Sequence, residues 1–352
     1  MKPVRGVEIL EAYHPPLQGR AQSLRLDFNE WVGPAHPKLA QALRDFRPEQ
    51  LGVYPEDSAA RARVAAQFGA LPEEVTLANG TDEAFANVFR AYLGKGEGIL
   101  IPDPGYAMMP FYATLCEASI VPWILAAPSF DYELPGLEEF CRAGGKVACI
   151  VRPNNPTGTN LAPKITLDLA KKYPSTLFVI DEAYAEFAGS SVLPQALAYP
   201  NVLTLRTFSK CWSMAGLRCG AVVAHKDIIA TLRKMWSPYS VNVLALHLLE
   251  RILPDVSWPP QVKRLVDTQR KRLQEKFLQL KAPHFFGEGN FFLVKPPQGA
   301  KAFCEGYAKR GIRLRDQSSK RNLGGWVRVS IGDAPATDRF LDVLDQVMKE
   351  PA

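Results

Sequence analysis

The sequence lacks the features that would set it apart from ordinary soluble enzymes. Its six cysteines, Cys116, Cys141, Cys149, Cys211, Cys219 and Cys304, form no CxxC pair, and its five histidines are spread without ligand spacing. Neither a disulfide framework nor structural zinc is expected, and no metal is assigned. No apolar run approaches the ~18 residues of a membrane span, and Met1 to Arg20 carries charges and prolines where a secretory signal has its apolar stretch. The expected setting is a reducing cytoplasm with no membrane partner. The net charge of +6, from 42 basic and 36 acidic residues, is dispersed, which argues against a nucleic-acid surface, since duplex binding calls for a concentrated basic stripe. There is no internal repeat, and the paired prolines (Pro15-Pro16, Pro259-Pro260, Pro296-Pro297) are too short to be linkers.

What is present is a chain of 352 residues, 47% hydrophobic and 22% charged, able to bury one large α/β unit or two domains. Strand-like apolar runs at Val75 to Ala78, Gly98 to Ile101, Val147 to Val151, Leu177 to Ile180, Val202 to Leu205 and Cys219 to Ala224 alternate with helical patterns. Their continuous apolar character predicts a largely parallel sheet covered on both faces. Leu39, Ala42, Leu43 and Phe46 fall at helical spacing and predict one buried face. A second helix is expected from the caps Asp57-Ser58 to Gly69, and a third from the turn Asn79-Gly80-Thr81-Asp82 to about Gly94. Beyond Trp236 the texture changes. Long helices at Val243 to Leu253 and Trp258 to Leu280 precede strands at Asn290 to Val294, Ile312 to Leu314 and Val327 to Ile331, with helices near Ala300 to Arg310 and Ala336 to Met348. That reads as a smaller α+β domain. The expected division is an N-terminal arm (1–30), a large domain (31–238) and a small C-terminal domain (239–352).

The chemistry-bearing residues stand at the ends of those runs. Thr207-Phe208-Ser209-Lys210, followed by Ala215-Gly216-Leu217-Arg218, puts hydroxyls, one lysine and one arginine on a single connection. An enzyme that must anchor a phosphorylated aldehyde cofactor needs such a set, because lysine alone among side chains bonds an aldehyde through its amine. Gly80-Thr81-Asp82 at a helix start presents free N–H groups to an anion. Asn155 follows the strand Val147 to Val151, and Asp181 ends the strand before it with Tyr184 three residues on. Read singly, each has a plainer explanation: a proline-rich turn around Asn155, a helix cap at Asp181, a core aromatic at Tyr106, a surface arginine at Arg328. Cys211, beside Lys210, is read as a packing residue rather than a reactive thiol.

Taken in chain order, these residues resemble the fold-type I pyridoxal-phosphate aminotransferases, and within them the histidinol-phosphate aminotransferases, over almost the whole chain. The most specific parts are Asn29-Glu30, Tyr54-Pro55-Glu56, Pro153 to Thr159, Asp181 to Tyr184, Thr207 to Gly220, Gly311 to Gln317 and Arg328 to Gly332. The resemblance implies a mostly parallel seven-stranded sheet sandwiched by helices, plus the smaller α+β domain. It implies pyridoxal 5'-phosphate as cofactor, with Lys210 bonding its aldehyde and Asp181 pairing with the ring nitrogen. Asn155 and Tyr184 would hold the ring 3-oxygen, and Tyr106 would stack on the ring. Thr81, Asp82, Thr207, Ser209 and Arg218 would hold the phosphate, and Tyr54 would reach it from the neighbouring subunit of a homodimer. Lys210, Asp181 and Tyr184 are the implied catalytic residues. Arg328, Arg315 and Asn29 are the implied substrate contacts, Arg328 gripping a carboxylate and Arg315 a phosphate.

The implied reaction moves an amino group from L-histidinol phosphate to a 2-oxo acid, 2-oxoglutarate. Three departures fall on the substrate side: His14-Pro15-Pro16-Leu17-Gln18 where the family carries Pro-Tyr, Trp31-Val32-Gly33-Pro34 for Asn-Pro-Tyr-Gly, and Gly332-Asp333 for Gly-Thr. They keep open an aromatic or broad-specificity aminotransferase, and the shared arginines keep open an enzyme like the threonine-phosphate decarboxylases. A cofactor-binding regulator is the non-enzymatic reading. It would call for an added DNA-binding domain, and the aminotransferase-like pattern from about Leu24 onward leaves no room for one.

Overall fold

The computed structural model of the protein describes residues 1–12 and 16–350. Its strands in chain order are β1 (Leu24–Arg25), β2 (Val75–Ala78), β3 (Gly98–Asp103), β4 (Ser119–Ile124), β5 (Val147–Val151), β6 (Leu177–Asp181), β7 (Val202–Thr207), β8 (Gly220–Ala224), β9 (His284–Phe285), β10 (Phe291–Val294), β11 (Ile312–Arg313), β12 (Arg315–Asp316) and β13 (Val327–Ser330). Seven of them form one sheet in the order β2-β8-β7-β6-β5-β3-β4. Only β8 runs against its neighbours; the β7-β6-β5-β3-β4 pairings are parallel.

Every residue of β5, β6, β7 and β8 is buried, because helices cover both faces. Alternate residues serve opposite cores: Ile99, Val147, Cys149, Val151 and Val179 join Phe85, Phe89 and Ile229 on one side. Leu100, Ala148, Ile150, Phe178 and Ile180 join Val64, Leu137 and Leu249 on the other. A strand apolar on both faces shows no period-two alternation, which is why the sequence runs looked continuous. Burying a side chain the size of Phe85 or Phe89 contributes about 1.5–3 kcal/mol.

Two expectations need correction. The stripe from Leu39 to Phe46 is not one buried face: the helix is short, Leu39–Arg44, Ala42 is buried but Leu43 is 50% exposed, and Phe46 lies edge-on to His247. Second, β4 was not foreseen. It is one of the two edge strands, largely exposed along its length, and its Pro122 is tolerable only because an edge leaves one side unpaired.

A second sheet, β12-β13-β10-β9, is antiparallel. β1 pairs with β11 in parallel, and the segment that follows β1 lies between β11 and β13: Leu26 N–H donates to the Arg313 carbonyl, and Ser330 N–H to the Leu26 carbonyl. Residues 26–29 are thereby fixed beside β13. No helix among the described residues is long and apolar enough to cross a membrane.

Candidate active site

The sheet topology brings the site residues to one edge. In the parallel part every strand ends on the same side, and because β8 is reversed, its start at Gly220 lies there too. The chain reverses its winding between β3 and β5, and ligands of open α/β sheets sit at the carboxyl ends beside such a point. Tyr106 follows β3, Asn155 follows β5, Asp181 ends β6, Thr207 ends β7, and Gly80 follows β2. Arg218 precedes β8, whose Gly220 is registered against both Ala78 and Thr207. A Cβ at Gly220 would lie 2.9 Å from the Arg206 carbonyl oxygen and 3.2 Å from Thr81 N. Only glycine lets the helix start at Gly80 approach β7 so closely.

That approach builds an anion cradle. The helix Gly80–Tyr92 opens with Gly80 at φ 78°. Arg218, itself in the left-handed region at φ 50°, donates to Ser209 Oγ at 3.4 Å and pairs with Asp82 Oδ2 at 3.3 Å. Tyr106 donates its phenol proton to Asp82 Oδ1 at 2.7 Å. Thr207 Oγ1 accepts from Ser209 N–H at 3.2 Å, fixing the turn that carries Lys210. A non-glycine residue in the left-handed region costs about 1–2 kcal/mol, and Arg218 bears that cost where its guanidinium meets the helix N-terminus.

Lys210 donates its Nζ proton to the Phe28 carbonyl at 2.9 Å and lies 5.8 Å from the Tyr184 ring centre. Burial, then the Arg328 charge, pushes its pKa down to about 8, with Glu30 opposing. Much of it is therefore a neutral amine near pH 8, the nucleophilic and proton-accepting form. Asp181 is 4% exposed and accepts from the Ala183 N–H at 2.9 Å. Burial first, opposed by that N–H, pushes its pKa up to about 7. Among the described residues no basic side chain forms an ion pair with it, which suits a carboxyl group awaiting a cationic ring nitrogen.

Tyr184, 4% exposed, accepts from Asn29 Nδ2 at 3.1 Å, and burial raises its phenol pKa. Asn29 is buried at φ 54°, and its N–H donates to Ser330 Oγ at 3.0 Å. Arg328 donates to Asn155 Oδ1 and to the Asp27 carbonyl. Arg315 is its direct partner across the β12-β13 ladder, and its guanidinium lies 5.6 Å from the Phe28 ring centre. The structure thus gathers Lys210, Asp181, Tyr184, Thr81, Asp82, Tyr106, Asn155, Thr207, Ser209, Arg218, Asn29, Arg328 and Arg315 along one edge. Tyr54 is different. It is 77% exposed and stacks on Tyr239 at 4.5 Å, and no hydrogen bond joins it to this group among the described residues.

The donor set fits pyridoxal phosphate: an amine held near neutrality, a buried carboxyl with no ion-pair partner among the described residues, and an anion cradle made of a helix start, a hydroxyl and an arginine. Two of the three departures have structural roles. Asp333 caps the helix Ala334–Val347, accepting from the Ala336 N–H, as a threonine would. Its own N–H donates to the Val32 carbonyl at 2.8 Å, and Trp31 donates to the Pro34 carbonyl at 2.8 Å. Both segments therefore pack on each other. Of the third, residues 14 and 15 lie outside the described residues.

Two groups escaped the sequence reading. The Phe28 carbonyl, which receives Lys210, carries no residue-type signal at all. Beneath Asp181 lies a buried ion network: Glu182 pairs with Arg152 and Arg206, and Arg206 also with Glu186. It ties the ends of β5, β6 and β7 together, and adjacent charges on separate strands were its only trace. Cys211 is buried, and burial raises its thiol pKa well above the ordinary value, as befits a packing residue.

A model of the family described as aminotransferase class I and II matches residues 24–344. A histidinol-phosphate aminotransferase of Roseiflexus castenholzii is 34% identical, the match covering 97% of this chain and 96% of that one. One from Symbiobacterium thermophilum is also 34% identical, covering 91% and 88%. The solved structure of a histidinol-phosphate aminotransferase from Sinorhizobium meliloti in complex with pyridoxal-5'-phosphate superposes with a TM-score of 0.88 over 99% of this chain and 98% of that one, at 21% identity, a likeness of fold.

Proposed function

The chain belongs to the class I and II aminotransferases, and from that premise we propose that it is a pyridoxal-phosphate enzyme moving an amino group from L-histidinol phosphate to 2-oxoglutarate. The observation that carries the chemistry is the placement of Lys210, its pKa near 8, just past the end of β7, and of the buried Asp181 at the end of the neighbouring β6. When bound, pyridoxal phosphate supplies a ring that takes up the electron pair left on the donor's α-carbon after its proton departs.

The chain's own residues do the rest. Lys210 Nζ would hold the cofactor at its aldehyde carbon, and its neutral amine would serve as the base for the donor's α-proton. Asp181 would hold a proton on the ring nitrogen, and Asn155 and Tyr184 would hold the 3-oxygen. Tyr106, its hydroxyl tied to Asp82, would pack against the ring. Thr81, Ser209, Thr207 and Arg218 bind the cofactor's phosphate. Arg328 presents a planar fork to the substrate anion, and its bond to Asn155 links substrate binding to the ring's oxygen partner. Asn29 positions Tyr184. Arg315 adds a second guanidinium for the phosphate monoester, a charged hydrogen bond contributing roughly 1.5–3 kcal/mol.

The active unit is a homodimer in which Tyr54, exposed on its own chain, reaches the partner's phosphate cradle. Single-turnover mixing of the holoenzyme with histidinol phosphate, phenylalanine and phosphothreonine tests the donor. Histidinol phosphate should bleach the visible cofactor absorbance fastest. Fast conversion by phenylalanine alone would favour the broad-specificity reading, and carbon dioxide from phosphothreonine the decarboxylase one.

A further inference from the structure

Between β12 and β13 the chain makes a loop that crosses to the other sheet. Lys320 Nζ donates to the Gly105 carbonyl at 2.5 Å, Arg321 pairs with Asp103 at 2.7 Å, and Asn322 Nδ2 donates to the Leu125 carbonyl at 3.2 Å. Gly105 precedes Tyr106, so Lys320 stands at the wall of the site. Its ammonium has three donors, of which the Gly105 carbonyl takes one, and among the described residues no carboxylate lies within ion-pair distance. Arg321 answers Asp103 instead. Arg328 and Arg315, the two arginines of the substrate side, are both near enough to repel it.

Desolvating an ammonium beside two guanidiniums, with a carbonyl as its partner, is unfavourable for the empty protein. Three neighbouring positive charges become favourable around a ligand of more than one negative charge. A phosphate monoester carries about −1.5 to −2 near neutrality, whereas a carboxylate carries one charge.

We infer that Lys320 is a specificity residue, a third cation that binds the phosphate of the amino donor together with Arg315 and Arg328 and discriminates a phosphate dianion from a single carboxylate. This rests on the reading of the donor as a phosphorylated amine. Burial, then Arg328, pushes the Lys320 pKa down to about 8, with Asp103 opposing and Arg315 adding to the fall. A bound dianion would restore its proton.

Lys320→Gln keeps a donor for the Gly105 carbonyl and removes the charge, and Lys320→Arg keeps the charge. Holoenzyme of each form is titrated with inorganic phosphate, read by the cofactor's absorbance, and assayed with histidinol phosphate and with histidinol. Lys320→Gln should weaken phosphate binding and raise the KM for histidinol phosphate by about ten- to a hundredfold, the worth of one charged hydrogen bond. The kcat for histidinol phosphate and the kcat/KM for histidinol should stay near the parent's, and Lys320→Arg should recover most of the loss. Unchanged phosphate affinity in Lys320→Gln overturns the inference, as does an equal loss on both donors, which would mark a residue that only holds the Tyr106 loop. If the parent enzyme does not prefer histidinol phosphate to histidinol, the donor reading falls, and the phosphate titration still decides the role of Lys320.

Discussion

Replacing Asp181 by asparagine should make the cofactor-free protein more stable as pH rises, while disabling the enzyme. The carboxyl's pKa is raised from 3.8 to about 7, roughly three units at ~1.4 kcal/mol each, so burying the charged form costs about 4 kcal/mol. Below both values folded and unfolded chains hold the proton, and the group costs nothing. Between them the unfolded chain releases its proton and the folded chain keeps it, so the parent loses stability as pH rises. Asparagine does not titrate, and its Oδ1 can still accept the Ala183 N–H. Its amide must find an acceptor, an offset of about 1–3 kcal/mol that does not vary with pH. Urea unfolding of both cofactor-free proteins from about pH 5 to 8 should therefore show the variant gaining on the parent by roughly 2.5 kcal/mol, most of it complete by pH 7, the rest of the roughly 4 kcal/mol having accrued below about pH 5. On the proposed reading the ring nitrogen of the holoenzyme would pair with the carboxylate, so the gain should vanish, and kcat should fall by about two orders of magnitude or more. A constant stability gap across that pH range would refute the claim that Asp181 is a buried carboxyl without a counter-ion.

Three further outcomes are expected. Gly80→Ala places a Cβ 2.5 Å from Arg218 Nη2 at a φ of 78°, so cofactor affinity measured by equilibrium dialysis should drop about tenfold or more, given a strain of about 1–2 kcal/mol; an unaltered dissociation constant would count against the cradle. Glu182→Gln leaves Arg152 and Arg206 facing a neutral amide, and chemical denaturation should report a loss of about 3–5 kcal/mol. Arg328→Lys keeps the charge but loses the fork that reaches both Asn155 and the Asp27 carbonyl. It should raise the KM for the 2-oxo acid about ten- to a hundredfold, and a KM like the parent's would remove Arg328 from the substrate contacts.

The cofactor half of the site was legible because it is written on strand ends. A parallel strand buried on both faces announces itself as an apolar run, and the first polar residue after it stands at the sheet's carboxyl edge. Asp181 follows this rule directly, and Asn155, Thr207 and Lys210 lie within the next few residues on the connections that leave the same edge. The edge strand β4 did not, because Pro122 and its exposed positions imitate a loop. Leu43 misled in the opposite direction: its helical spacing is genuine, but the Leu39–Arg44 helix is too short to cover the whole stripe.

The substrate half is harder to read for a physical reason. Its contacts join segments that the sequence holds far apart, and many of them use backbone groups. Lys210 reaches the carbonyl of Phe28, 182 positions away, and Arg328 reaches that of Asp27, 301 positions away. A carbonyl is the same in every residue, so no composition or spacing could mark residues 27 and 28 as the hinge between Lys210, Arg328 and Arg315. Lys320 shows the same thing, since its partner is the Gly105 carbonyl, 215 positions distant. Within one family the cofactor's demands fix residue types at strand ends. The donor's demands are met by charges delivered on loops, whose positions can change without disturbing the sheet. Specificity in this chain therefore has to be sought in the loop between β12 and β13 and in the segment after β1, where a single cation alters the charge offered to the substrate and leaves the chemistry at Lys210 intact.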